Sequence, residues 1–593
     1  MSSPETTPPD RGPWALALLL ALTAAVYAPT WTYGFAWDDL VLVEKNTLTD
    51  SMANVVQFFL VDLWESTPVA RQESGYYRPL LLLDLAIDRA FVGLSPGWHH
   101  LHGLAWHLGA CALLAWWMAW WGISLPAVTA GVALFALHPA QVEAVVFVSA
   151  RNDAMAAAGL FAALAMLEGW EWLRNQGMTA SPRVLLWAGA CVLAAALCKE
   201  SVLVAPLLLV VVSWGRSDPD VTPRRLIYGS SSAHGAVLCG LVAYAGLRAV
   251  AGVRLPEHVD LAHLAAALGP SLAVYAHKLL VPFGLSPGLH LAWLEQVPWF
   301  ALAAAMVLAG CMTWLGGRRA VAGLGFALVA FVPALAGIAH HGGLPDRYLY
   351  LPMAGISVMV AALVEQVGSP SERPKLTARG RARLDRRQWC IAWILVAGGL
   401  VLTQLQRPLW TDDRTLWVQT LERAPSPYTF GIYAKMLEEE GDLEEAVEWN
   451  RLAVQGPRPY QEACFRVTAL QLRRGDMSAV VQDGEAALAA GCARSPELLA
   501  PLSLGLAVTG KWERAAEIAG EVGQDPTGKA VVVWAASQAR EGNLEPLHRA
   551  RVEGFQESVA SGLMPLEEQV AWLLDQSGDS ESAEQVRRAY EVE

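Results

Sequence analysis

The feature that most restricts this chain of 593 residues is a succession of long apolar runs. A membrane-spanning helix needs about 20 mainly apolar residues. Eleven segments approach that length, near residues 13–31, 101–121, 125–138, 152–173, 184–198, 202–214, 230–250, 298–316, 320–339, 348–366 and 389–406. With 54% hydrophobic residues, only 17% charged and 25 Trp, the chain holds more apolar surface than a water-soluble core of this size would need. In lipid every backbone polar group must be paired within the segment, which favours helices. The expectation is therefore an all-α, polytopic membrane helix bundle of about eleven spans over residues 13–406, preceded by a cytoplasmic N-terminus, 1–12. Val26-Tyr27-Ala28 has the look of a signal-peptidase site, but Pro29 would then begin the mature chain, so the first segment is read as an anchor.

Lys and Arg fix the expected orientation. With the N-terminus inside, Arg174 and Arg183, Arg216, Arg224 and Arg225, Arg318 and Arg319, and the run from Arg373 to Arg387 all fall in cytoplasmic loops. This requires an outer loop at 251–297, whose amphipathic stretch 261–282 lies on the membrane surface. The other long outer loop is 32–100. An odd number of spans leaves the C-terminal tail outside, after a linker at 407–426.

From Pro427 the hydropathy falls and the charge changes. Basic and acidic residues balance at 28 each before it, whereas 15 basic residues face 28 acidic ones from there on. Neither part has the basic footprint of a nucleic-acid binder. Gly441-Asp442, Gly475-Asp476, Gly510-Lys511, Gly542-Asn543 and Gly578-Asp579 recur at intervals of 34, 35, 32 and 36 residues, often with a small residue four positions on, as at Ala446, Ala515 and Ala583. This period resembles tetratricopeptide repeats, giving a soluble α-solenoid of about five units over 427–593. Such arrays present a concave surface to peptides or partner proteins. The cysteines, Cys111, Cys191, Cys198, Cys239, Cys311 and Cys390 among them, read as small core residues and not as a disulfide framework or a zinc site.

Charged residues at the rim of membrane helices are costly and need a reason. Phe35-Ala36-Trp37-Asp38-Asp39 follows the first span. A carboxylate there could act as a general base, hold a divalent cation with its neighbour, or cap the next helix. Further on stand Tyr76-Tyr77-Arg78-Pro79, His138-Pro139 with Glu143, Arg151-Asn152-Asp153, Lys199-Glu200-Ser201 and Asp346-Arg347-Tyr348-Leu349-Tyr350. Arg78, Arg151, Lys199 and Arg347 thus gather on the expected outer face, where they suit a lipid-borne phosphate. The other reading makes Arg151–Asp153 and Lys199–Glu200 local ion pairs at helix ends. His99, His100, His102 and His107 lack a third ligand at a motif spacing and are expected to pack and hydrogen-bond. Nucleotide-binding and serine-hydrolase motifs are absent from the sequence.

The order of these motifs resembles the transmembrane and tetratricopeptide-repeat O-mannosyltransferases and their bacterial relatives, within the GT-C superfamily of glycosyltransferases. That resemblance implies an inverting transfer of mannose or another hexose from a polyprenyl-phosphate donor to a hydroxyl, on a protein acceptor held by the repeats. By carry-over Asp38 is the base, and Asp39 supports it or binds a metal. Arg78, Arg151, Lys199 and Arg347 would bind the donor phosphate, with His138, Glu143, Asp153 and Glu200 positioning them and Tyr348 and Tyr350 at the pocket wall. No cofactor is implied beyond a divalent cation at Asp39. The competing expectation is a non-catalytic, membrane-anchored repeat scaffold for envelope assembly or secretion. Compact loops and the lack of a retention tail point to a bacterial inner membrane.

Overall fold

The computed structural model describes residues 12–67, 74–217, 230–254, 261–294, 296–367, 378–455, 458–522, 529–544 and 566–590. The chain divides into two compact units, Met1–Gln419 and Thr420–Glu593. Among the described residues the structure is helical, apart from an isolated antiparallel bridge between His290 and Gly343.

In the first unit a helix stands at each of the eleven apolar segments. Among the described residues six helices are long and apolar enough to cross a membrane, or seven if the bent pair Leu125–Leu137 and Pro139–Val146 counts as one span. The chain is thus an integral membrane protein. The other expected segments fall outside that count for physical reasons. Arg183–Cys198 has 16 residues and Ala205–Arg216 has 12, so at about 1.5 Å per residue each is shorter than a hydrocarbon core of about 30 Å. Pro96–Ala119 is long enough at 24 residues but carries four histidines. The segments near 298–316 and 320–339 are two helices within Trp299–His341, parted by a kink at Gly317, where φ is 64°, so the count of six takes this pair as one. Only glycine takes that conformation freely, so the break sits where the sequence permits it.

Leu125–Leu137 and the first half of Arg151–Asn175 are almost wholly buried and form the centre of the bundle. Leu186, Val242, Trp314 and Ile394 stay exposed, as lipid-facing side chains do. Glycines let backbones meet: a Cβ on Gly355 would lie 2.4 Å from the Gly323 carbonyl oxygen. That contact locks Tyr350–Gln366 against the second half of Trp299–His341. Leu261–Leu280, expected on the membrane surface, packs through Ala267, Val274 and Tyr275 onto Phe331, Leu335 and Ile338 of the same element. Much of the stretch expected as a linker, 407–426, is folded into the first unit. Arg407 donates to the Val26 carbonyl at 2.6 Å, and Trp410 and Trp417 are buried. Of the basic clusters used for orientation, Arg224, Arg225, Arg373 and Lys375 lie outside the described residues.

Among the described residues the second unit is a succession of helices from Pro427–Glu440 to Ser580–Tyr590. The five periodic glycines, Gly441, Gly475, Gly510, Gly542 and Gly578, all have φ between 75° and 90°, the left-handed conformation of a helix C-terminus. Asp442 and Asp476 then cap the next helix by accepting from the Glu445 and Ala479 N–H groups. Ala446, Ala515 and Ala583 are fully buried where paired helices approach. One cysteine expectation is corrected: Cys464 and Cys492 form a disulfide, with their Cα atoms 6.1 Å apart. Their pairing depends on the hairpin between them and has no local signature. Closing a 28-residue separation contributes about 3–4 kcal/mol in the chain-entropy account. We predict that Cys464→Ser/Cys492→Ser lowers the thermal midpoint of the intact protein. Alkylation of both thiols without prior reduction would contradict the bridge.

Candidate active site

Residues 33–36 belong to no helix, and a tight turn at Trp37 and Asp38 then carries Asp38 and Asp39 into Leu40–Glu44. Trp37 has φ of 54°, the only positive value at a non-glycine among the described residues. Such a conformation costs on the order of 1–3 kcal/mol and persists only where its surroundings impose it. Here the Trp37 N–H donates to Asp413 Oδ1 at 2.7 Å. Its ring stacks on Phe147 at 5.4 Å and meets Trp417 edge-on at 5.5 Å. The Arg347 guanidinium lies 5.2 Å from the same ring.

The strained turn separates the two carboxylates. Asp39 is buried and accepts from the Ser149 N–H at 2.7 Å, the Ser149 hydroxyl at 2.6 Å and the Val148 N–H at 3.2 Å. Burial pushes its carboxyl up to about 7 against those bonds. With its oxygens so engaged, Asp39 anchors the turn ahead of helix Arg151–Asn175 and fits poorly as an open metal ligand. Asp38 instead lines a cavity of about 120 Å³ with Asn152, Lys199, Arg347 and Tyr348. Burial pushes its carboxyl up to about 6, with Arg347 opposing and Glu143 adding.

A second cavity of about 330 Å³ adjoins it, since Tyr76, Arg78, Lys199, Arg347 and Tyr348 line both. Its far wall is mostly apolar, built by Leu203, Ala330, Pro333, Ala334, Leu351 and Pro352. Each shared cation is held by a carboxylate from a distant segment. Arg78 Nε donates to Glu200 Oε2 at 2.9 Å, and Glu200 Oε1 accepts the Tyr77 N–H at 2.9 Å. Lys199 Nζ donates to both Asp153 oxygens, at 2.6 and 2.5 Å. Burial pulls the Lys199 ammonium below its ordinary value, with Asp153 opposing. Arg347 pairs with Glu143, which also accepts the Asp346 N–H at 2.7 Å. The local pairs Arg151–Asp153 and Lys199–Glu200 do not form; neighbours in sequence take partners far away.

Three of the expected site residues lie elsewhere. Arg151 is fully buried, with Nη1 2.5 Å from Asp84 and 2.6 Å from Asp88 and Nη2 donating to the His99 carbonyl. It lines neither cavity. Asp84, Asp88 and His102 place one atom each close enough to share a metal, but the Arg151 guanidinium already supplies the positive charge there. His138 caps a turn by accepting the Ala140 N–H at 3.2 Å. Tyr350 is buried, its hydroxyl 2.8 Å from His107 Nδ1. His100 sits between the Val146 and Gly34 carbonyls, at 2.8 and 3.1 Å, so these histidines do pack and hydrogen-bond.

Several further residues support the site without belonging to any of the sequence motifs. Arg248 donates to the Gly75 carbonyl at 2.7 Å and to Tyr244 Oη, holding the loop before Arg78. Lys278 pairs with Asp346 at 2.5 Å and donates to the Leu344 carbonyl, fixing the turn that presents Arg347. Each is a lone cation inside or beside an apolar run, and that was the available signal. Tyr76, on both cavities, stood in the Tyr-Tyr-Arg-Pro turn.

No protein-family model matches the sequence. Three proteins of Drosophila melanogaster are similar to it. Protein O-mannosyl-transferase Tmtc3 is 28% identical over 229 residues, covering 33% of this chain and 23% of that protein. Tmtc1 is 28% identical over 221 residues, 37% and 25% of the two chains, and Tmtc2 is 30% identical over 238 residues, 39% and 25%. The match spans about a quarter of the length of these relatives. The chain is thus distantly similar, over about a third of its length, to protein O-mannosyl-transferases of the Tmtc group.

Proposed function

We propose that this protein is a membrane glycosyltransferase of GT-C type that moves a hexose, such as mannose, from a polyprenyl-phosphate donor to a hydroxyl on a protein, with inversion. The observation that carries this reading is the pair of adjoining cavities, one polar around Asp38 and one largely apolar, with Arg78, Lys199 and Arg347 on the wall they share. The apolar cavity suits the first prenyl units, the three cations suit the phosphate, and the polar cavity suits the sugar and the attacking hydroxyl. Asp38 takes the acceptor proton as the acceptor oxygen bonds to the anomeric carbon from the face opposite the phosphate. The bond from that carbon to the phosphate oxygen breaks, and the three cations stabilise the charge left on the polyprenyl phosphate. Glu143, Asp153 and Glu200 hold the cations in place, and Tyr348 walls both cavities. No step is assigned to a metal.

The helical hairpins of the second unit are read as tetratricopeptide repeats that hold the acceptor polypeptide. Their disulfide supports an extracytoplasmic tail, because such bonds persist in oxidising compartments. A cytoplasmic N-terminus and a bacterial inner membrane complete the reading. The test is transfer of labelled hexose from polyprenyl-phosphate hexose to protein by the purified chain. A base must be ionised to take a proton, and burial places the Asp38 carboxyl at about 6. We therefore predict that kcat/KM falls roughly tenfold per unit as pH drops below that value and is flat above it. A pH-independent rate from 5 to 7 would count against Asp38.

A further inference from the structure

Asn152 occupies the second position of helix Arg151–Asn175 and is 2% exposed, yet it lines the smaller cavity beside Asp38. Its Oδ1 is buried without a hydrogen-bond partner among the described residues. The residues on either side are committed, Arg151 to Asp84 and Asp88 and Asp153 to Lys199. Ser149, also on the cavity, gives its hydroxyl to Asp39. A buried polar atom without a partner is rare enough in native structures to need an explanation.

We propose that Asn152 reads a ring hydroxyl of the transferred sugar, a specificity role that rests on the glycosyltransferase reading above. The chemistry of the amide narrows the ligand. An unpaired carbonyl oxygen needs a donor, which neither a phosphate oxygen nor a prenyl chain supplies. A hydroxyl donates and accepts, so an amide, with one acceptor and one donor side by side, matches two adjacent hydroxyls of a sugar ring. Exchanging the oxygen and nitrogen of the amide leaves that match intact. The acceptor brings a single reacting hydroxyl, and Asp38 claims it. Sites built to bond a hydroxyl discriminate strongly against the analogue that lacks it, because the site's own polar group is then left unpaired.

The experiment offers the purified full chain polyprenyl-phosphate mannose, glucose and galactose, then monodeoxy analogues of whichever the wild type turns over. Wild type is expected to reject one analogue. In Asn152→Ala, kcat/KM for the parent donor should fall on the order of 10- to 100-fold while that for the rejected analogue is unchanged, so the discrimination ratio collapses. The ratio is taken within one preparation and does not depend on how much protein is folded. Asn152→Asp, which keeps an acceptor, should retain part of it. If the wild type transfers hexose but Asn152→Ala keeps the wild-type ratio for every analogue, the Asn152 assignment is wrong and the function stands. If the wild type turns over none of the donors, both fail together.

Discussion

Asp38→Asn is expected to lower hexose transfer on the order of 10²- to 10⁴-fold, the range for loss of a positioned general base, while leaving the fold intact. The amide keeps the shape of the side chain, and among the described residues only charge interactions, with Arg347 and Glu143, act on the Asp38 carboxylate. Asp39→Asn separates the two carboxylates. Even with its oxygen kept toward Ser149, its NH2 then faces the Val148 N–H, so its first effect is on thermal stability. The measurement is kcat/KM and melting midpoint for both variants in one detergent. An Asp38→Asn enzyme with wild-type turnover would remove Asp38 from the mechanism.

The second large effect is expected at Arg151, and it is structural. Arg151→Met leaves Asp84 and Asp88 facing each other in the bundle without the guanidinium that holds them at 2.5 and 2.6 Å. Breaking a buried ion pair from one side costs about 3–5 kcal/mol, so the variant should melt well below the wild type. The triple variant Asp84→Asn/Asp88→Asn/Arg151→Met should recover much of the loss, because no charge is then left unpaired. A donor-binding role predicts the opposite pattern: an unchanged melting point and a raised KM for the donor.

These two residues show what the sequence makes legible. Asp38, Arg78, Lys199 and Arg347 stood out because each is charged beside an apolar run. The structure brings all four onto two adjoining cavities. Arg151 carried the same signal and meets a different need. Its partners, four residues apart on one face of Pro79–Val92, could be matched to it only through tertiary contact. Asn152 stood in the Arg151-Asn152-Asp153 motif but took no role there, since an amide adds no charge and only burial without a partner marks it. The repeat tail was readable because glycine alone suits its turns, so the period survives in the sequence. Helix bounds were readable where an apolar run ends sharply, as at Arg183–Cys198 and at the Gly317 kink, but whether a helix of 16 residues crosses the bilayer is not fixed by hydropathy alone. The Cys464–Cys492 bridge needed the fold of its hairpin to bring the two sulfurs together.

The proposed mechanism requires a donor phosphate on the wall shared by the two cavities, with its sugar beside Asp38. The most direct measurement is a cryo-electron microscopy structure of the Asp38→Asn protein with polyprenyl-phosphate hexose. The account predicts phosphate density within hydrogen-bonding reach of Arg78, Lys199 and Arg347, the first prenyl units against Pro333 and Leu351, and the sugar in the smaller cavity. Donor density elsewhere in the protein, with both cavities unchanged, would contradict it.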